Sequence, residues 1–254
     1  MSVAAVPGVA VGELLRSMAD DEFVIGFSDS EWTGIAPQLE EDVAISSLAQ
    51  DEIGHAAALY ALLGELTGED PDAIAYDREP VAYRHCRLLD HRRGDWAMTI
   101  ARRFIYDTAD GVRLEALAGG SWAPLADLVG KLVREERYHR MHASVWLDRL
   151  ACGGDEARSR LLAALTTLGP DAATVFSPLP DEAALIEAGI LASPMPELET
   201  RWRTAIGPTF ATLDLPMPPP ARDLAHGRLD HGEAFAWLWH EFNTVRASEP
   251  GVTW

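Results

Sequence analysis

Two Glu-x-x-His pairs, 84 residues apart, are the groups in this chain with the clearest capacity for chemistry. The first pair is Glu52 and His55, and the second is Glu136 and His139. Residues three positions apart lie on one face of an α-helix, so each pair can present a carboxylate and an imidazole to one point. A single pair arises often by chance, but its repetition predicts one buried dinuclear metal site shared by two helices.

The spacing of apolar residues indicates the helices that must position these pairs. One apolar stripe begins near Pro37, runs through Glu52 and His55, and stops at Gly68. A second stripe runs from Leu125 through Glu136 and His139 to Gly153. Both ionisable pairs therefore lie on faces that the fold should bury.

Two further helices each place one acid on an apolar face. The first runs from about Gly12 to Phe27 and carries Glu22. The other starts at Asp95, a good N-cap residue, runs to Ala118 and carries Asp107. Each acid taken alone can be explained as a capping or ion-pair residue. Four stripes that each bury a carboxylate instead predict a shared cation, because an unpaired buried carboxylate is costly.

The candidate ligand set combines four carboxylates with two imidazoles: Glu22, Glu52, His55, Asp107, Glu136 and His139. Hard oxygen donors with two nitrogens suit two iron or two manganese ions, and the donor types do not separate these metals. Asp51 and Glu135, each one residue before a ligand, are expected to hydrogen-bond the metal-bound histidines. A reduced metal pair of this kind can react with O2, and the surrounding pocket would then decide what is oxidised.

The helical pattern predicts an all-α fold with a ferritin-like four-helix bundle core. We expect one domain over residues 1–254, with the bundle at about 12–153 and a C-terminal helical extension at about 155–254. For residues 68–94 we expect a loop with one short helical turn. The extension should hold helices at four places: 155–177, 181–191, 197–212 and 230–247.

The composition limits the partners and the location that we expect. A net charge of −19 argues against nucleic acid or an anionic membrane as the main partner. The sequence has no apolar run long enough to span a bilayer and no basic start typical of a signal peptide, so we expect a cytoplasmic protein. Cys86 and Cys152 lack a metal-binding spacing and should be reduced thiols.

Several short segments resemble the smaller ferritin-like subunit of phenylacetyl-CoA epoxidase, a bacterial multicomponent di-iron oxygenase that acts on the aromatic ring. The resemblance extends from about Asp20 to the C-terminus. The segments that carry it are Ser30-Glu31-Trp32, Ala36-Pro37, Ile100-Ala101-Arg102, Arg137-Tyr138-His139, Trp146-Leu147-Asp148-Arg149-Leu150 and the closing Trp254.

This resemblance implies a structural partner of a larger catalytic di-iron subunit, in a heterodimer that assembles further. Electrons would come from a separate flavin and iron-sulfur reductase. Well-known smaller subunits have lost their metal ligands, whereas the six candidate ligands here match those of the catalytic subunit. Leu48 stands where the catalytic subunit has a lysine.

Two functional hypotheses follow. In the preferred one, the chain supports the catalytic subunit of a phenylacetyl-CoA epoxidase in aerobic phenylacetate degradation, and its own site can still bind metal. In the alternative, the chain is a stand-alone ferritin-like di-metal oxidase or oxygenase of unknown substrate, in its simplest form an iron-oxidising protein. A homo-oligomer is compatible with both hypotheses. The C-terminal segments and the length favour the first hypothesis.

Overall fold

The computed structural model describes residues 7–249, so the closing Trp254 lies outside the described part. Within that part all the regular secondary structure is helical and there is no strand, which confirms the predicted all-α, ferritin-like class. The helices in the first part of the chain are α1 (Gly8–Ser30), α2 (Leu39–Thr67), α3 (Pro71–Tyr76), α4 (Trp96–Leu117) and α5 (Ala123–Cys152). Those that follow are α6 (Asp155–Leu168), α7 (Glu182–Glu187), α8 (Met195–Thr212) and α9 (Glu233–Ser248).

The four long helices α1, α2, α4 and α5 form the bundle, and local signals set their ends. Gly68 adopts a left-handed conformation with φ of 80° and ends α2, because a glycine pays no Cβ penalty there. The side chain of Asp95 accepts a hydrogen bond of 3.0 Å from the backbone N–H of Met98 and so begins α4. The sequence predicted both of these ends.

Prolines explain where the local structure departs from the prediction. Residues 68–94 hold three helical segments, α3 and 3₁₀ helices at Pro80–Ala82 and Arg87–Asp90, where one turn was predicted. Pro71 and Pro80 each stand at the start of a segment, where a missing N–H costs nothing. The helix predicted over 155–177 ends instead at Leu168 and continues as a 3₁₀ helix over Gly169–Phe176, which contains Pro170 near its start.

Close packing joins α1 to α2 beside the candidate ligands. A Cβ atom built on Gly26 of α1 would lie 2.8 Å from Ile53 Cγ1 and 3.1 Å from the backbone oxygen of Ala49 on α2. It would also lie 3.1 Å from Glu52 Cβ. The missing side chain of Gly26 therefore lets the two helix backbones approach at the level of Glu52.

Buried ion pairs connect α1 to α4 and to the C-terminal region. Asp21 Oδ2 accepts a hydrogen bond of 2.7 Å from Arg113 Nη1 of α4, and Asp21 Oδ1 accepts one of 2.9 Å from Arg228 Nη1. Near the end of α1 and the start of α4, Arg102 donates a hydrogen bond of 2.8 Å to Asp29. These contacts hold α1 and α4 in register, because each buried charge needs its partner.

Two sequence expectations concern cysteines and membranes. Cys86 is buried, Cys152 is exposed, and both are free thiols. Among the helices of residues 7–249, none has the length and apolar character needed to cross a membrane.

Candidate metal centre

The bundle interior buries all six candidate ligands at the middle of its four helices. None of the six is more than 4% exposed. Glu22 lies on α1, Glu52 and His55 on α2, Asp107 on α4, and Glu136 and His139 on α5. The regular helical spacing of each apolar stripe accounts for this placement.

Four of these residues converge on one point. Glu22, Glu52, His55 and Glu136 each offer one donor atom, and these atoms lie within 4.8 Å of one another. His55 Nδ1 lies 3.3 Å from Glu22 Oε2, 3.6 Å from Glu52 Oε2 and 3.6 Å from Glu136 Oε1. One imidazole nitrogen thus faces three carboxylates contributed by three helices.

His139 approaches the same carboxylates from the other side. Its Nδ1 atom lies 3.0 Å from Glu136 Oε1 and 3.3 Å from Glu52 Oε1. The two imidazole rings are nearly parallel, with centroids 6.0 Å apart. Glu52 therefore turns one oxygen towards each histidine, and Glu136 Oε1 faces both.

The outer nitrogen of each histidine faces an acid on the opposite helix. His55 Nε2 on α2 lies 2.7 Å from Glu135 Oε2 on α5, and His139 Nε2 on α5 lies 3.3 Å from Asp51 Oδ2 on α2. Carboxylates in this position fix the orientation of the ring and leave Nδ1 free to bind a cation. Glu22 is held as well, because Tyr106 donates a hydrogen bond of 2.9 Å to Glu22 Oε1.

Asp107 lies apart from this convergence and faces an arginine. Arg103, one turn earlier on α4, places Nε 3.4 Å from Asp107 Oδ1. Arg103 Nη1 also donates to Glu52 Oε1 at 2.5 Å and lies 3.6 Å from Asp29 Oδ2. The sequence interpretation overlooked Arg103, although its position four residues before Asp107 places both side chains on one helix face.

The electrostatics of the cluster are those of a buried acid group with too few cations. Burial and then the neighbouring Glu52 charge raise the pKa of Glu22 well above its usual range. Burial alone would lower the pKa of His55, but the neighbouring carboxylates of Glu22 and Glu52 raise it to about 12. Burial likewise opposes protonation of His139, and the Glu52 charge together with the nearby Asp51 and Glu136 carboxylates raises that pKa to about 12.

The two acids that Arg103 faces have pKa values shifted in opposite directions. Burial works against the ionised form of Glu52, yet the Arg103 guanidinium lowers the pKa of Glu52 well below its usual range. Burial dominates at Asp107 and raises its pKa well above the usual range, although Arg103 opposes this shift. Arg103 therefore stabilises the ionised form of Glu52, whereas burial favours the neutral form of Asp107.

The donor atoms of the cluster fit a metal ion. Among the described residues, several of these buried atoms have no hydrogen-bond partner: Glu52 Oε2, both carboxylate oxygens of Glu136, both of Asp107, and His139 Nδ1. Buried polar atoms are otherwise almost always paired, so such a concentration needs a cation to offset it. Oxygen and imidazole donors without thiolate suit iron or manganese.

A second histidine and acid cluster, which the sequence interpretation missed, joins the loop after α3 to the segment before α9. His85 Nε2 lies 2.9 Å from Asp90 Oδ1, and His231 Nδ1 lies 3.6 Å from the same oxygen. The two imidazole rings stack with centroids 4.0 Å apart, and His231 Nε2 faces the Tyr83 backbone oxygen at 2.9 Å. This cluster anchors the C-terminal region to the bundle.

The amino-acid sequence matches one family of known proteins. The family model described as "Phenylacetic acid catabolic protein" matches residues 8–254. The chain is 29% identical to the C-type subunit of 1,2-phenylacetyl-CoA epoxidase from Escherichia coli, over 93% of this chain and 96% of that protein. It is 25% identical to the A-type subunit of the same Escherichia coli epoxidase, over 89% of this chain and 74% of that protein.

Proposed function

The chain belongs to the phenylacetic acid catabolic protein family, and from that premise we propose that it is the smaller, C-type subunit of a complex that oxidises phenylacetyl-CoA. The alignment to the C-type relative carries this proposal, because it covers nearly the whole of both proteins. The alignment to the A-type relative leaves about a quarter of that longer protein unmatched. The resemblance that the short sequence segments indicated is thereby confirmed.

The proposed partner is a larger catalytic subunit of the A type, with a reductase acting through that partner. The exposed face of α5 supports this assignment. Tyr138, Met141 and Val145 follow one another at spacings of three and four residues, and Met141 is 57% exposed. Exposed apolar side chains grouped on one helix face are typical of interaction surfaces.

The start of α2 carries a second exposed apolar pair. Leu39 and Val43 are both exposed on the first turns of α2. Between them, Glu41 accepts a hydrogen bond of 2.8 Å from His142, which lies between Met141 and Val145 on α5. Leu39 and Val43 point away from this contact, because residues two positions apart lie about 200° apart around a helix. We therefore assign only the exposed face of α5 to the larger subunit.

The cluster of Glu22, Glu52, His55, Glu136 and His139 would hold iron or manganese in this protein. Bound ferrous iron would supply reactivity towards dioxygen. The chain's own residues would orient the two imidazoles through Asp51 and Glu135 and exclude bulk water by burying every ligand. We also propose that the bundle and the C-terminal helices act as one ferritin-like domain, since Arg228 bonds Asp21 inside the bundle.

The complete set of acid and imidazole side chains favours a second candidate function, a stand-alone ferritin-like metal oxidase. Such a protein would consume O2 on its own when supplied with Fe(II). The subunit hypothesis predicts no turnover of phenylacetyl-CoA by the isolated chain. Oxygen uptake by the purified chain with Fe(II), measured with and without the reductase and a larger A-type homologue, separates the two functions.

Co-expression provides the direct test of the subunit proposal. An affinity-tagged copy of this chain, expressed with an untagged A-type homologue, should retain that homologue and elute with it as one species from a sizing column. The control is the same preparation with a Met141→Glu chain, which should release the homologue. Two separate species from the wild-type preparation would overturn the proposal.

A further inference from the structure

The guanidinium of Arg103 lies between two carboxylates of the candidate ligand set. Its Nη1 atom donates to Glu52 Oε1, and its Nε atom lies 3.4 Å from Asp107 Oδ1. All three side chains have no solvent exposure. A buried cation therefore already stands on the α4 side of the cluster.

This position matters because of which oxygen Arg103 contacts. Glu52 Oε1 is the atom that faces His139, whereas Glu52 Oε2 faces His55. An ion on the His139 side would need Glu52 Oε1 together with Asp107. Arg103 contacts both of these acids.

Arg103 cannot lose its charge, and its surroundings hold it in place. A guanidinium stays protonated at every pH at which the protein is folded. Asp29 Oδ2 lies 3.6 Å from Nη1 and keeps the group within an acidic environment. A divalent ion beside this fixed charge would be repelled strongly in the buried interior.

Among residues 7–249, no arginine or lysine pairs with Glu22 or Glu136 on the other side of the cluster, and a metal ion can displace the proton of His55. Glu22, Glu52, His55 and Glu136 gather their donor atoms within 4.8 Å, and Tyr106 rather than an arginine contacts Glu22. Glu52 Oε2 and both oxygens of Glu136 have no hydrogen-bond partner among the described residues. This side is the one able to accept an ion.

We propose that the Arg103 guanidinium takes the place of a second metal ion, so that the chain binds a single divalent ion among Glu22, Glu52, His55 and Glu136. The inference rests on the proposed function of this cluster as a metal site, and it replaces the two ions that the sequence predicts with one. His139 and Asp107 then complete the electrostatic balance around a protein cation.

Manganese provides a probe whose signal does not depend on enzyme activity. The wild-type chain, Arg103→Met and Arg103→Lys are loaded anaerobically with Mn(II), desalted, and measured for metal content and by low-temperature electron paramagnetic resonance. Methionine removes the charge at similar length, whereas lysine keeps it. Circular dichroism and thermal melts of each metal-free protein report whether the variants fold.

The proposal expects one Mn(II) per wild-type chain, with the hyperfine pattern of an isolated ion. Arg103→Lys should behave in the same way. Arg103→Met should bind twice as much metal and show the spectrum of two coupled ions, and added Mn(II) should raise its melting temperature more than that of the wild type.

Three results would overturn the proposal. A wild-type chain with two coupled ions would show that Arg103 moves aside, and this result is decisive even if the methionine variant fails to fold. A folded Arg103→Met chain that still binds one ion would show that another group excludes the second. A wild-type chain that binds no Mn(II) would refute the metal site of the proposed function itself, which distinguishes that failure from the first two.

Discussion

Gly26→Ala is the substitution whose effect can be worked out most directly from the packing around the cluster. The new methyl group would stand 2.8 Å from Ile53 Cγ1 and 3.1 Å from the Ala49 backbone oxygen, both closer than ordinary contact. Ala49 O belongs to the α2 backbone, so α1 and α2 must separate for the methyl group to fit. Overpacking of this kind costs about 1–3 kcal/mol.

A matched control isolates this steric cost. Gly54 lies on the exposed side of α2, and a Cβ atom built there meets no atom within 4 Å. Gly54→Ala should therefore gain only the helix preference of alanine, about 0.5–1 kcal/mol. Gly26→Ala gains the same helix preference, so this term cancels when the two variants are compared. Only the overpacking cost remains, and Gly26→Ala should have a free energy of unfolding about 1–3 kcal/mol below that of Gly54→Ala.

Urea denaturation of the metal-free proteins, followed by helical circular dichroism and extrapolated linearly, measures this difference. The same separation of helices would displace Glu52, whose Cβ lies 3.1 Å from the position of the new methyl group. Gly26→Ala should thus also bind Mn(II) more weakly, whereas Gly54→Ala should bind as the wild type does. Equal stability of the two variants would refute the close approach of α1 to α2.

Three further predictions concern other parts of the molecule. Asp21→Asn leaves two buried arginines without their full partner and should lower the free energy of unfolding by about 3–5 kcal/mol in urea denaturation; a loss below 1 kcal/mol would contradict the buried network. Met141→Glu, on the exposed face of α5, should weaken binding to the A-type homologue tenfold or more in a titration without changing the melting temperature; unchanged affinity would exclude this face. Burial and the nearby His231 lower the pKa of His85, although Asp90 opposes the shift, so the unfolded chain takes up this proton first and His85 contributes a loss of stability below about pH 6.5; the melting temperature of His85→Gln relative to the wild type should therefore rise from about pH 7 to about pH 5, and a difference that does not change with pH would contradict the shift.

The sequence predicted the bundle well because its signals are local and repeated. Apolar spacing and end residues such as Asp95 and Gly68 act within one helix, so they can be interpreted without knowing the neighbours. Short helical segments in residues 68–94 were underestimated, because proline marks the start of a helix as well as a break. The number of such turns depends on packing that sequence spacing does not specify.

The sequence also predicted only part of the candidate site. Repetition of the Glu-x-x-His spacing pointed to the residues that converge, since each pair lies on one helix face. The role of Arg103 could not be inferred, because an arginine beside an apolar stripe is equally compatible with a surface ion pair. Only the assembly of the four-helix bundle brings its guanidinium, on α4, to Glu52 on α2. The cluster of His85, Asp90 and His231 was missed because its members come from segments that meet only in the folded chain.

The iron content of the purified chain shows whether the buried cluster of acids and histidines holds a metal ion. The wild-type chain and a Glu52→Ala/His139→Ala variant are loaded anaerobically with Fe(II), desalted, and assayed by inductively coupled plasma mass spectrometry. We expect the folded wild-type chain to retain iron and the folded variant to lose it, because the variant lacks one carboxylate and one imidazole of the buried cluster. Absence of retained iron in the wild type, or equal retention by both proteins, would contradict a metal site at this cluster.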